Sequence, residues 1–183
     1  MTENISGKKV AFLLTDGFED SELTSPWQAV TDAGGTAVLV SPELGTITGK
    51  NGHTQEVDVL ASEATSNNFD ALVLPGGVVN ADHLRMDADA VKLAHSFFED
   101  HKPVGVICHA AWLLIEADVV RGRELTSYPS LKTDLINAGA NWVDDEVIVD
   151  SGLVSSRTPD DLPAFNAKLV EEIWEGEHEG QTP

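Results

Sequence analysis

The sequence predicts an α/β fold with a mostly parallel central sheet and helices on both faces. Three observations carry this. Short apolar runs without polar alternation recur at Val10–Leu14, Ala71–Leu74 and Pro103–Ile107, the pattern of parallel strands covered on both sides. Segments with helical spacing alternate with them along the chain. No repeat and no long linker divides the 183 residues, so a single domain over 1–183 is expected.

Lys8–Thr15 reads as the first strand. Asp16-Gly17-Phe18-Glu19-Asp20 is a polar turn. Ser21 can then cap a helix with Leu23, Trp27 and Val30 four and three apart, closed by Gly34-Gly35. Thr36–Ser41 is the second strand, and Pro42–Val57 a small hairpin excursion. Ala71–Leu74 is a strand ending in Pro75-Gly76-Gly77. Asp87 opens a helix with Ala90, Val91, Ala94, Phe97 and Phe98 on one face. Pro103–Ile107 is a strand that enters an apolar helical stretch at Cys108, running to about Ala117.

Further on, Pro129–Ala138 reads as helical and ends at Gly139. Glu146–Ser156 reads as two short strands around Asp150-Ser151-Gly152. Thr158-Pro159-Asp160-Asp161 has the form of a capping box. It precedes a last helix that buries Leu162, Phe165, Leu169 and Ile173. Residues 175–183 carry no apolar period, and both they and residues 1–7 are expected to be flexible.

Lys+Arg number 11 and Asp+Glu 31, a formal charge of −20. Such a surface repels phosphate backbones and anionic lipid, so neither a nucleic-acid nor a membrane partner is expected. The apolar runs fall far short of the roughly 20 residues of a membrane span. No apolar stretch precedes Val10, so no signal peptide is expected. The single cysteine, Cys108, cannot form an intrachain disulfide. A free thiol in the reducing cytoplasm is the expectation.

In open parallel sheets the chemistry lies beyond the carboxyl ends of the strands. Three segments fall there: Asp16–Asp20, Gly76-Gly77 and Cys108-His109. Cys108 sits where a buried strand hands over to a helix, the place of a nucleophile elbow. The partial positive charge of a helix N-terminus would lower its thiol pKa, and amides of the same turn could hold an oxyanion. The plain alternative is a small buried hydrophobe. Of the small residues an elbow wants two before and two after the nucleophile, Ala110 fits and Val106 does not.

His109 is either a base or a polar cap, since neighbours at a turn rarely point the same way. Glu19, if buried and protonated, could donate a hydrogen bond to a thiolate. Otherwise it is one of several acids, with Asp20 and Glu22, at a helix start. Gly76-Gly77 allows close backbone approach to a ligand or is a plain turn. Asp82 and His83 just beyond it read as solvated, as do Asp144-Asp145-Glu146 and Glu171–Glu179. The six histidines show no tightly spaced pair, and there is no phosphate loop or dinucleotide fingerprint, so no metal and no cofactor are expected.

These segments together resemble a known family. Val106-Ile107-Cys108-His109-Ala110-Ala111-Trp112-Leu113-Leu114 is followed by Val120-Arg121-Gly122-Arg123 and Thr126-Ser127-Tyr128-Pro129-Ser130. Asp134-Leu135-Ile136-Asn137-Ala138-Gly139-Ala140-Asn141-Trp142-Val143-Asp144 and Ser155-Ser156-Arg157-Thr158-Pro159-Asp160-Asp161-Leu162 come next. With Asp16–Asp20 and Leu74–Gly77, the set is similar to the PfpI intracellular proteases of the DJ-1/PfpI (class I glutamine-amidotransferase-like) superfamily, over about residues 8–174.

The resemblance implies a flavodoxin-like three-layer sandwich with Cys108 as nucleophile and His109 beside it. It implies Glu19 as the buried acid bonded to the thiolate, and Gly77 with the His109 backbone N–H as the oxyanion hole. Asp82 would reach His109 from a neighbouring subunit, so a homo-oligomer, at least a dimer, is implied. The activity implied is that of a stress-response hydrolase without a cofactor. It would act through Cys108 on peptide or methylglyoxal-type (glyoxalase/deglycase) carbonyls. The alternative is an oxidative-stress protein whose Cys108 is oxidised to sulfenic or sulfinic acid. A holdase chaperone, indifferent to Cys108, is the third reading.

Overall fold

Eleven strands and six helices are formed in the computed structural model, which describes residues 3–183. The strands are β1 (Lys9–Leu13), β2 (Thr36–Ser41), β3 (Thr46–Thr48), β4 (Thr54–Glu56), β5 (Val59–Leu60), β6 (Ala71–Leu74), β7 (Val104–Ile107), β8 (Glu124–Leu125), β9 (Asn141–Trp142), β10 (Ile148–Asp150) and β11 (Leu153–Ser156). The helices are α1 (Asp20–Asp32), α2 (Val78–Leu84), α3 (Ala88–Glu99), α4 (Ala111–Glu116), α5 (Lys132–Asn137) and α6 (Leu162–Glu175).

Seven strands make one sheet in the order β10-β11-β7-β6-β1-β2-β5. Every pairing is parallel except β10 with β11. The bare apolar runs are therefore buried on both faces. Val10, Phe12 and Leu14 join one core with Val73, Leu23 and Leu169; Ala11 and Leu13 join the other with Leu72, Phe97 and Phe98. Alternating side chains point to opposite sides of a strand, so two helical layers are needed to cover them. Helix α1 packs with α6, and α3 with α4. The three-layer α/β sandwich is thus formed, and no helix is long and apolar enough to cross a membrane among the described residues.

Several elements differ from the sequence reading. Helix α1 begins at Asp20 with Glu19, not Ser21, as its N-cap. A helix absent from that reading, α2, follows the Gly76-Gly77 turn directly. The expected Thr158 cap is not made. A 3-10 turn spans Pro159–Asp161, because the Asp161 carboxylate is held by Arg157 through its backbone N–H (2.9 Å), Nε (2.9 Å) and Nη2 (3.0 Å). By contrast Asp87 caps α3 as expected, accepting the Ala90 N–H at 2.8 Å.

Of the two segments expected to be flexible, residues 1–2 lie outside the described residues. Ile5 is buried, with its N–H on the Ala33 carbonyl at 2.9 Å. Gln181 is buried as well. Its Oε1 accepts from Arg123 Nη2 at 2.7 Å and its Nε2 donates to the Lys102 carbonyl at 3.2 Å. Hydrogen bonds to a buried guanidinium, rather than an apolar period, seat this tail.

Candidate active site

The sheet turns over at one place. From β1 the chain moves outward to β2, and from β6 it moves the other way to β7. The loops after β1, β6 and β7 meet above that switch point, the usual ligand crevice of such folds. They carry Glu19 and Glu22, Gly76-Gly77, and Cys108-His109.

Cys108 has a φ of 63°, the left-handed region that a side chain adopts only when its surroundings enforce it. It opens a 3-10 turn, Cys108–Ala110, that leads into α4. The Tyr128 N–H donates to the Cys108 carbonyl at 3.1 Å and ties the elbow down. The sulfur is nearly enclosed, with the residue 8% exposed. The amide N–H groups of His109 and Gly77 point at it. The two expected oxyanion-hole donors are therefore brought to one atom.

The glycines make this approach possible. A Cβ on Gly76 would stand 2.8 Å from Cys108 Cβ and collide with Glu22 Oε1; one on Gly77, where φ is +97°, would stand 2.6 Å from the Gly17 carbonyl oxygen. Asn80 clamps the turn. It is buried, donates to the Pro75 and Gly76 carbonyls at 3.0 and 2.9 Å, and accepts the Thr15 N–H at 2.8 Å.

The acid beside the thiol is Glu22, not Glu19. As N-cap, Glu19 stands before the first turn of α1, and its carboxylate forms an ion pair with Lys50 on the β3–β4 hairpin. Asn51 Nδ2 also donates to it, at 3.4 Å. Glu22 is the third residue of α1. Helical side chains lean back toward the N-terminus, which carries its carboxyl inward, where it is fully buried. Oε1 accepts the Gly76 N–H at 2.9 Å. Oε2 has no partner of ordinary hydrogen-bond geometry, and the carboxyl is within hydrogen-bonding reach of the Cys108 thiol.

Burial pushes the Glu22 carboxyl up to about 8, helped by the Glu19 charge. At neutral pH it is a protonated acid. Burial likewise pushes the Cys108 thiol up to about 12, with the Glu22 charge, once that group ionises, adding to it. The expected low thiol pKa is not met. The helix after Cys108 is only six residues long, and loss of water around the sulfur outweighs its dipole and the two amides.

His109 Nδ1 lies 3.1 Å from Cys108 Sγ. Burial, and then the Lys50 charge, lower its pKa below the ordinary histidine value, so the ring is neutral and free to accept a proton. Its plane stacks on Tyr128 at 4.5 Å between centroids and meets the Trp112 edge at 5.3 Å. Ser130 Oγ is 3.4 Å from Nε2. Both neighbours of an elbow thus point to one place, against the expectation from spacing. Asp82 lies exposed on α2.

The sequence reading missed Glu22, Tyr128, Ser130 and Lys50. Tyr128 and Ser130 stood in the segments that carry the family resemblance but with no role attached, and Glu22 left a signal of its own: with Leu23, Pro26 and Val30 it completes the buried face of α1, where an acid is out of place.

The model of the DJ-1/PfpI family matches residues 8–172. "Deglycase PH1704" of Pyrococcus horikoshii is 46% identical over 162 residues, 88% of this chain and 97% of that protein. "General stress protein 18" of Bacillus subtilis is 49% identical over 168 residues, 90% and 96% of the two chains. A crystallised two-domain protein of Anabaena variabilis, with DJ-1/ThiJ/PfpI-like and ferritin-like domains, superposes with a TM-score of 0.89 at 32% identity. It covers 96% of this chain and 50% of that one.

Proposed function

Since the chain belongs to the DJ-1/PfpI family, we propose that it is a stress-response hydrolase whose Cys108 attacks a carbonyl carbon. The observation that carries this reading is the 3.1 Å approach of Cys108 Sγ to the Nδ1 of a neutral His109. The thiol rests protonated. As the sulfur adds to the carbonyl, its proton passes to Nδ1. The oxygen takes the negative charge and is met by the Gly77 and His109 amides. On a peptide carbonyl the oxyanion collapses as the C–N bond breaks, the amine leaving with the proton from His109; water gives a proton to His109 and cleaves the resulting thioester to an acid, and that proton returns to sulfur. A methylglyoxal-type aldehyde released from its amine reaches the same thioester once a proton has moved from the aldehyde carbon to the neighbouring ketone carbon, and water cleaves it to a hydroxy acid. Glu22, un-ionised, keeps a second negative charge away from that oxyanion.

The substrate class favoured by the geometry is a small carbonyl adduct of the methylglyoxal type, the deglycase substrate. Cys108 and His109 are each only 8% exposed, which admits a small group more readily than a polypeptide backbone. Peptide hydrolysis is the second substrate class. The Asp82 of a second copy would orient His109 through Nε2, which makes the active form at least a dimer.

A sensor reading, with Cys108 oxidised to sulfinic acid and held by Glu22, is favoured by the Glu22 carboxyl beside the sulfur. It is opposed by the raised thiol pKa, because the thiolate is the form that oxidises.

The test is turnover of methylglyoxal-modified amines and of a peptide library by the purified protein and by Cys108→Ser. Loss of turnover in the variant is expected, and retained turnover ends the proposal.

A further inference from the structure

A second set of donors lies at the other end of the sheet. Glu172 and Glu175 are on the last turns of α6, and His178 follows just beyond. Next to them is Gly152, which precedes β11 at its amino end. Cys108 follows β7 at the carboxyl end of the same parallel pair.

One ligand atom from each of the three residues lies within 4.8 Å of the other two. His178 Nε2 is 3.0 Å from Glu172 Oε2 and 3.6 Å from Glu175 Oε2. The Glu172 side chain is 7% exposed. Among the described residues its buried Oε2 has no hydrogen-bond partner, and neither has His178 Nε2. The two atoms stand at ion-pair distance from each other but make no hydrogen bond. Buried polar atoms without partners are rare and call for an occupant. Two donors on one zinc ion, each at about 2.1 Å and tetrahedrally arranged, stand roughly 3.4 Å apart. The two observed separations straddle that spacing.

The donors are also held in place. The His178 N–H donates to the His101 carbonyl at 2.9 Å, and the Gln181 N–H to the His178 carbonyl at 2.9 Å. The Gly152 N–H lies close to the Glu172 carboxylate. A Cβ on Gly152 would stand 3.0 Å from His178 Cδ2, so the ring reaches Glu172 over a position without a side chain.

We propose that Glu172, Glu175 and His178 form a site for a zinc-class divalent ion, which clips the tail beyond α6 to the helix at the end of the molecule opposite Cys108. One imidazole with two carboxylates suits zinc better than magnesium or calcium, which prefer all-oxygen sets. Water completes the coordination. The expectation of no metal from histidine spacing looked for pairs of histidines, whereas this set uses one.

The test is calorimetric titration of zinc chloride into the full chain carrying Cys108→Ser, which removes the thiol as a competing ligand. One ion per chain, a rise in Tm and slower proteolysis of the tail are expected. His178→Ala should weaken binding about tenfold or more, at least the loss seen when an outer partner of a metal ligand is removed. Glu175→Gln, at an exposed position that leaves the buried carboxylate in place, should weaken it as well. Failure of the folded Cys108→Ser chain to bind one zinc ion overturns the site. So does unchanged affinity in both ligand variants, or an equal response to magnesium.

Discussion

The Glu22 carboxyl and the Cys108 thiol rest against each other beneath the Gly76-Gly77 turn, and both keep their protons at neutral pH. Each is pushed up by the same loss of water, to about 8 and about 12. Ionising either one raises the cost of ionising the other.

That coupling sets the first prediction. Glu22→Gln keeps an acceptor for the Gly76 N–H but removes the charge, so the Cys108 pKa should fall from about 12. Glu19→Gln should lower it less, because Glu19 is the smaller influence on the sulfur. The rate of thiol alkylation against pH reads both. An unchanged or raised thiol pKa in Glu22→Gln would contradict the arrangement.

A second prediction concerns stability. The folded-state pKa of Glu22 is about 8, against 4.5 for a free glutamate side chain, so between those values the folded chain holds a proton that the unfolded chain has lost. The stabilisation is complete below about pH 4.5 and is lost as pH rises toward 8, by up to about 1.4 kcal/mol per pH unit. Denaturant midpoints for the native protein should fall over that window. Glu22→Gln should flatten the slope; equal slopes would count against a buried acid.

The acid limb of kcat/KM should reflect His109. Its lowered pKa places that limb below the ordinary histidine value near 6.5. Tyr128→Ala removes the stacked ring that shields the imidazole, so the limb should move to higher pH. A limb that stays in place would show that Tyr128 does not set the environment of the base.

Gly77→Ala should be costly twice over. Its φ of +97° suits only glycine, and the new Cβ would meet the Gly17 carbonyl oxygen at 2.6 Å. Strain and crowding together should cost at least about 2 kcal/mol, and Tm should drop by roughly 4–8 °C. Turnover should fall with it, because the Gly77 amide would leave the sulfur. A calorimetric scan and an assay of the folded fraction separate the two effects.

Asp82→Ala tests the assembly. Light scattering should show at least a dimer, and activity should fall with KM little changed if Asp82 orients a neighbour's His109. A strict monomer with full activity removes the residue from the proposal.

By itself the sequence determined the sheet, because β1, β6 and β7 are apolar without alternation and such strands must be covered on both faces. It also determined the elbow cysteine and the glycines beside it, since these are local features of backbone and adjacent residues. Which acid faces the sulfur was decided only in three dimensions. Glu19 and Glu22 are one helical turn apart, and the start of α1 at Asp20 sends one outward to Lys50 and the other into the core. The tertiary structure also set the thiol pKa, since burial from all sides outweighs a short helix dipole. The same holds for the C-terminal tail: no period in residues 175–183 announces it, and it is seated by Arg123 and His101, which are distant in sequence.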